Sequence, residues 1–376
     1  MPSKVYIYSL AMVLFMSPSH AASDPLVEAY RQPQSLWPAA ETDPGIDAVA
    51  LAPLPAPDSL PVWSSATPER ITLGKQLFFE RRLSASDQIA CASCHDPDLG
   101  WADGRRVSIG HNRQQGDMNA PSIVNSIFLH EVFWDGRAAN LEEQVIASWT
   151  NPIEMAGDLE ASTEKLSAIH GYPPLFAAAF GDPEVTVERI ASAIATFMRS
   201  VNMLDAPYDR FLKGDTQALS DTQVRGLHLF RTKARCMNCH QGALLSDQQY
   251  HHLGTSFERV GNFQGRYRIS GPEEVGAFRT APLRGLSATA PYMHNGFASD
   301  LDLLLSLYNI GWWQNAALQD KDPDIPLAQL SPRIKPLQLS QEELADLKAF
   351  LLSLTGNLPY MKPPPELPDY RQADTH

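Results

Sequence analysis

Apolar residues recur at helical spacing in three windows of the chain. Over residues 68 to 80, Leu73, Leu77 and Phe78 share a face, which predicts a helix. Over residues 186 to 202, Ile190, Ile194, Phe197, Met198 and Val201 form a core-facing stripe. The third window is the best signalled. Ser340 and Glu343 make a capping box, Leu344, Leu347, Phe350, Leu351 and Leu354 form the stripe, and Gly356 is the expected stop. Two further starts are legible: Asn140 as cap to a helix with Glu142 and Glu143 in its first turn, and Ser220 with Gln223 as a second capping box.

Between these windows the pattern lapses. Residues 24 to 66 are rich in Pro and Ala, which predicts an extended arm on the surface. Residues 97 to 133 carry Gly100, Gly104, Gly110 and Gly116 around the polar run His111 to Gln115, an irregular loop of the kind that covers a functional centre. Pro207 and Gly214 suggest a boundary between two halves. The expected fold class is mainly α, with two cytochrome c-like haem domains and long irregular loops. The expected division is a signal peptide (1–21), the N-terminal arm (22–66), an N-terminal domain (67–206), a C-terminal domain (207–360) and a tail (361–376).

Composition changes this picture little. A chain of 376 residues that is 44% hydrophobic and 19% charged can bury about two cores. Its net charge of −13 argues against a nucleic-acid partner and allows a basic protein partner. At the N-terminus Lys4, the apolar run Val5 to Met16 and Ser19-His20-Ala21 read as a cleavable secretory signal, too short for a membrane span. The expected location is the periplasm.

The chemistry lies in Cys91-Ala-Ser-Cys94-His95 and Cys236-Met-Asn-Cys239-His240, which together use all four cysteines. In each, two thiols one turn apart can bond the vinyl groups of one haem while the adjacent imidazole ligates its iron. Zinc sites, redox dithiols and disulfides also use Cys-x-x-Cys. The identical His offset in both copies favours two covalent c-type haems, with His95 and His240 as iron ligands. The sixth iron position decides between electron transfer and reaction with a small oxidant. For the second haem the candidates are Met293, His294 and Tyr308; spacing does not choose among them, and composition favours Met293.

Several ordered motifs resemble the bacterial dihaem cytochrome c peroxidase family, MauG group included, from about residue 68 to 356. They are Phe133-Trp134-Asp-Gly-Arg, Leu141-Glu-Glu-Gln144, Asn151-Pro-Ile-Glu154-Met, Phe278-Arg-Thr-Ala-Pro-Leu-Arg and Ala290-Pro-Tyr-Met-His-Asn-Gly296. The resemblance implies that the N-terminal haem reacts with hydrogen peroxide and the C-terminal haem relays electrons. It assigns Tyr308 as the second haem's sixth ligand, where peroxidases proper carry Met and the MauG group Tyr. A phenolate is a hard donor that favours high oxidation states of iron. It makes Trp134 the relay between haems, Glu154 the distal carboxylate that moves a proton during peroxide cleavage, and Gln144 a second distal polar group. It also implies Ca2+ between the domains, held by the Asn119 side chain and the Thr289 and Pro291 carbonyls.

Two positions depart from the MauG pattern. His111 resembles the peroxidase loop histidine that closes the first haem until the other is reduced, and Ser148 stands where relatives usually carry Pro. The expected function is MauG-like: peroxide-dependent oxidation of a Trp or Tyr side chain on a partner protein, such as a methylamine dehydrogenase precursor, by long-range electron transfer. The alternatives are a peroxidase drawing electrons from a small cytochrome or cupredoxin, and a dihaem carrier with both irons closed.

Overall fold

The protein was analysed as a computed structural model that describes residues 24–255, 264–312 and 325–369; residues 1–21, expected to be a signal peptide, and residues 370 to 376 of the tail lie outside them. It is mostly helical. Its sheet, among the described residues, is the antiparallel pair β1 (Tyr250–His251) and β2 (Phe278–Arg279), with Tyr250 opposite Arg279. Among those residues no helix is long and apolar enough to cross a membrane.

The helices are α1 (Pro25–Tyr30), α2 (Pro68–Phe78), α3 (Leu141–Thr150), α4 (Leu159–Ser167), α5 (Tyr172–Phe180), α6 (Val187–Ser200), α7 (Pro207–Leu212), α8 (Asp221–Arg231), α9 (Tyr267–Ser270), α10 (Leu301–Ile310) and α11 (Gln341–Leu352). Their starts follow from local chemistry. The side chains of Thr67, Asn140, Thr186, Ser220, Asp300 and Ser340 each accept a hydrogen bond from the N–H three residues on. Ser220 with Gln223, and Ser340 with Glu343, are reciprocal capping boxes.

Two hydrophobic cores result. In the first, α2 crosses α6 and buries Leu73, Leu77, Phe78, Ile190, Ile194 and Phe197. In the second, α8 crosses α11 and buries Val224, Leu227, Phe230, Leu347, Phe350 and Leu354. Each crossing turns on a glycine: a Cβ on Gly74 would strike the Ala193 carbonyl, and one on Gly226 the Asp346 carbonyl.

The loops that follow also repeat. Val132 bridges to Ala138 ahead of cap Asn140 and α3, just as Tyr292 bridges to Ala298 ahead of cap Asp300 and α10. Phe133 and Met293 both have left-handed backbone, at φ 67° and 76°. Trp134 and His294 therefore occupy equivalent places, as do Ser148 on α3 and Tyr308 on α10.

Three expectations need correction. The N-terminal arm is not only a surface wrap: Asp24 caps α1, and Val27, Tyr30 and Leu51 are buried in the second core. Six residues are too few to show a periodicity. Gly356 does not end the last helix, which stops at Leu352; a Cβ there would crowd the Asp205 carbonyl at 2.5 Å, so the glycine serves a close chain crossing. Pro207 opens α7 rather than only marking a break.

Gly74→Ala and Gly226→Ala should each cost about 1–3 kcal/mol through overpacking. Denaturant unfolding of the holoprotein checks this, and an unchanged midpoint in both would contradict the crossings described.

Candidate active site

Both cysteine motifs form a tight turn, Cys91–Ser93 and Cys236–Asn238, closed by hydrogen bonds from the His95 and His240 N–H to the Cys91 and Cys236 carbonyls at 3.0 and 2.7 Å. The histidine rings are then fixed by the main chain. His95 Nδ1 lies 3.1 Å from the Trp101 carbonyl and His240 Nδ1 2.9 Å from the Leu245 carbonyl. A carbonyl only accepts, so Nδ1 carries the proton and Nε2 keeps its lone pair for a metal. Burial holds both imidazoles below the usual histidine range, in the neutral form that ligates. Burial likewise pushes the Cys91 and Cys236 thiols up to about 12.

Beside His240 lies a large cavity with mostly apolar walls, including Phe230, Leu283, Leu305 and Leu351. Cys236, Cys239, Tyr308, Met293 and His294 all line it, so the three candidate sixth ligands share one space. The Tyr308 phenol is pushed above its usual range by burial, then by the adjacent Cys239 and Cys236 sulfurs. Arg279 also lines the cavity. It is 6% exposed, its Nε donates to the Phe133 carbonyl at 3.3 Å, and its Nη1 finds no partner among the described residues. A buried guanidinium with an unused N–H calls for an anion. A porphyrin bearing carboxylates fits this cavity, which offers apolar walls, a cation and a ready imidazole.

Around the first motif, the end of α3 gathers polar groups. Gln144 Nε2 donates to Ser148 Oγ at 2.9 Å, and Ser148 is among the groups that lower the Glu154 carboxyl. Asn151 Nδ2 donates to Glu154 Oε1 at 2.9 Å. Burial raises the Glu154 carboxyl, against the lowering effect of Ser148, Arg137 and Asn151. Its charge is felt at both Cys91 and Cys94, which places it beside the first motif. The loop bearing His111 is fastened to the same turn: the His111 N–H donates to the Ile153 and Glu154 carbonyls at 2.9 and 2.8 Å, and Gln114 Nε2 to the Pro152 carbonyl at 3.1 Å. The His111 ring Nδ1 is buried without a partner among the described residues.

Trp134 joins the two halves. Its Nε1 donates to the Asn119 carbonyl at 2.8 Å, its own carbonyl accepts from Arg279 N at 2.8 Å, and its ring meets His294 edge-on at 6.5 Å. The His294 ring stacks on Phe278 at 3.6 Å. Asn119 N–H binds the His294 carbonyl at 2.7 Å, and Asn119 Nδ2 donates to the Arg105 carbonyl at 2.8 Å, while Oδ1 accepts no hydrogen bond among the described residues. Asn119, Thr289 and Pro291 all line the cavity with Trp134.

Residues 68–217 match the family described as di-haem cytochrome c peroxidase. The methylamine utilization protein MauG of Methylophilus methylotrophus is 37% identical over 80% of this chain and 87% of its own length. The chain belongs to the dihaem cytochrome c peroxidase and MauG family. Cytochrome c551 peroxidase of Nitrosomonas europaea is 34% identical, over 80% of this chain and 85% of that protein. Among solved structures, a MauG-like protein associated with microbial copper homeostasis superposes with a TM-score of 0.69 at 29% identity, covering 84% of this chain and 96% of that one. Membership makes the protein a peroxide-using dihaem oxidoreductase with c-type haems.

Sequence reasoning named most of these residues and missed two links. In the sequence Ser148 stands out only as a departure from Pro, yet it accepts from Gln144 and favours the charged form of Glu154. Arg279 sat inside a quoted motif without a role; its signal is burial, which a sequence does not display.

Denaturing mass spectrometry of the mature protein should find two covalent haems per chain. The variant Cys91→Ala with Cys94→Ala should retain one, and two remaining haems would contradict attachment at this motif.

Proposed function

We propose that the protein is a MauG-like oxidase that uses hydrogen peroxide at the His95 haem to oxidise an aromatic side chain of a partner protein. When bound, the two haems supply iron that takes up the oxidising equivalents of peroxide. The observation that carries the reading is the contrast at equivalent places of the repeated loop and helix. Ser148 on α3 offers a short hydroxyl that is engaged with Gln144 and Glu154. Tyr308 on α10 offers a phenol beside Cys236 and Cys239. Tyr308 would hold the second haem's iron together with His240, whereas Ser148 would leave the first haem free to take peroxide.

His95 and His240 would hold the irons through Nε2. Glu154 would accept a proton from one peroxide oxygen and return it to the other, so that the departing group leaves as water. Ser148, Asn151 and Gln144 hold that carboxylate in place. Trp134 relays electrons, its indole pinned by the Asn119 carbonyl. We place Ca2+ at Asn119 Oδ1 and the Thr289 and Pro291 carbonyls, where a hard cation would fix the backbone under that indole. We also assign residues 67–206 and 207–360 to the two haem domains, and export to the periplasm after removal of residues 1–21.

A second reading, peroxide reduction to water with electrons from a small cytochrome or cupredoxin, draws support from the His111 loop. Its fastening to the Asn151–Glu154 turn puts an imidazole near the first haem. The carrier reading has no use for the Gln144, Ser148 and Glu154 network.

Tyr308→Phe should change the ferric spectrum of the second haem alone and abolish oxidation of the partner while leaving peroxide consumption; an unchanged second-haem spectrum would sink the ligand. Glu154→Gln should slow the peroxide step by about 10²–10⁴-fold. Because burial raises the Glu154 carboxyl, its base form is lost as pH falls through a value above the ordinary glutamate range. The acid limb of the pH profile should lie there and vanish in the Gln variant; a limb that persists would assign it to another group.

A further inference from the structure

The chain does not end its structural work at α11. Beyond it the tail leaves the second core and returns to the first. Gly356 passes against the Asp205 carbonyl, and its N–H approaches the Met203 sulfur at 3.1 Å. The Pro359 carbonyl accepts from Trp101 Nε1 at 2.8 Å. Met361 packs on the first core. Farther along, the Pro368 carbonyl accepts from Arg82 Nη2 at 2.6 Å, and Pro368 lies where a Cβ on Gly171 would be 2.7 Å away.

The contact at Pro359 matters because of what Trp101 does. Its side chain is fully buried, edge-on to Phe78 at 6.0 Å and against Phe197 at 5.9 Å. Its backbone is left-handed, at φ 62°. A bulky residue keeps that conformation only where its surroundings over-determine it. That conformation turns the Trp101 carbonyl onto His95 Nδ1. The tail therefore anchors the indole, the indole anchors the strained residue, and the strained residue orients the imidazole. At the second motif the same task falls to Leu245, φ 55°, whose aliphatic side chain has no donor to anchor.

We propose that the C-terminal tail is a positioning strap for the proximal imidazole of the first haem alone, acting through Trp101. Nδ1–H donation to a carbonyl makes an imidazole a stronger donor to iron, so its alignment tunes that iron's potential. The strap thus gives the peroxide-reacting side a control that the relay side lacks. It rests on a haem at His95 and not on what the protein oxidises, so its failure and that of the proposed function are separable.

The test uses diferric holoprotein without peroxide, reading ferric EPR signals and the midpoint potential of each haem, with the second haem as internal reference. A chain ending at Gly356 should shift the first haem's signal and potential and leave the second unchanged. Trp101→Phe, which keeps the ring and removes the N–H, should shift the first haem the same way in the full chain. Truncating the Trp101→Phe variant should add nothing further. Removing only residues 370 to 376 should have no effect. The strap is overturned if truncation leaves the first haem unchanged, if both haems shift together, if the two changes add, or if the short deletion alone reproduces the shift.

Discussion

A main-chain carbonyl accepts a hydrogen bond from Nδ1–H of each motif histidine, and most of the architecture serves that bond. It fixes the tautomer, leaves Nε2 for iron, and requires a left-handed residue, Trp101 or Leu245, to turn the carbonyl inward. Neither residue would hold that shape in a loose loop. The helix crossings of α2 with α6 and α8 with α11, each tightened by a glycine, build the walls against which Trp101 and Leu245 are pressed. Burial then keeps both imidazoles neutral.

On that duplicated frame, differences at equivalent places decide what each half does. Ser148 and Tyr308 stand at matching positions, and so do Trp134 and His294. In the first half the polar chain Gln144, Ser148 and Glu154 leads to the motif. In the second half the space beside the motif has mostly apolar walls, broken by groups that include Tyr308, the histidines and Arg279, whose Nη1 has no partner among the described residues. One half gathers carboxyl, hydroxyl and amide groups beside its motif, and the other offers a large, mostly apolar space with a phenol in its wall. Trp134, tied by its indole to Asn119 and by its carbonyl to Arg279, is the piece that both halves share.

Much of this was legible in the sequence because it is local. Caps at Asn140, Ser220 and Ser340, the stripes of α6 and α11, and both haem motifs depend on neighbours a few residues apart. What escaped depends on distant partners. Gly356 reads as a helix stop until Asp205 is seen against it. Six residues of α1 bury Val27 and Tyr30 only because α8 awaits them. The repeat shared by Trp134-Asp-Gly136 and His294-Asn-Gly296 is hidden because backbone shape is kept while side chains diverge. Nothing in the residues after α11 names their partners, yet Trp101 holds Pro359 and Arg82 holds Pro368.

The central claim is that the first haem is open in the fully oxidised protein and shares charge with the second. Its most direct test is one equivalent of hydrogen peroxide added to diferric holoprotein, with no reductant, followed by EPR of both haems. The account predicts rapid loss of both ferric signals together. Ferric signals that persist until one haem has first been reduced would contradict it, and would place His111 on the first iron at rest.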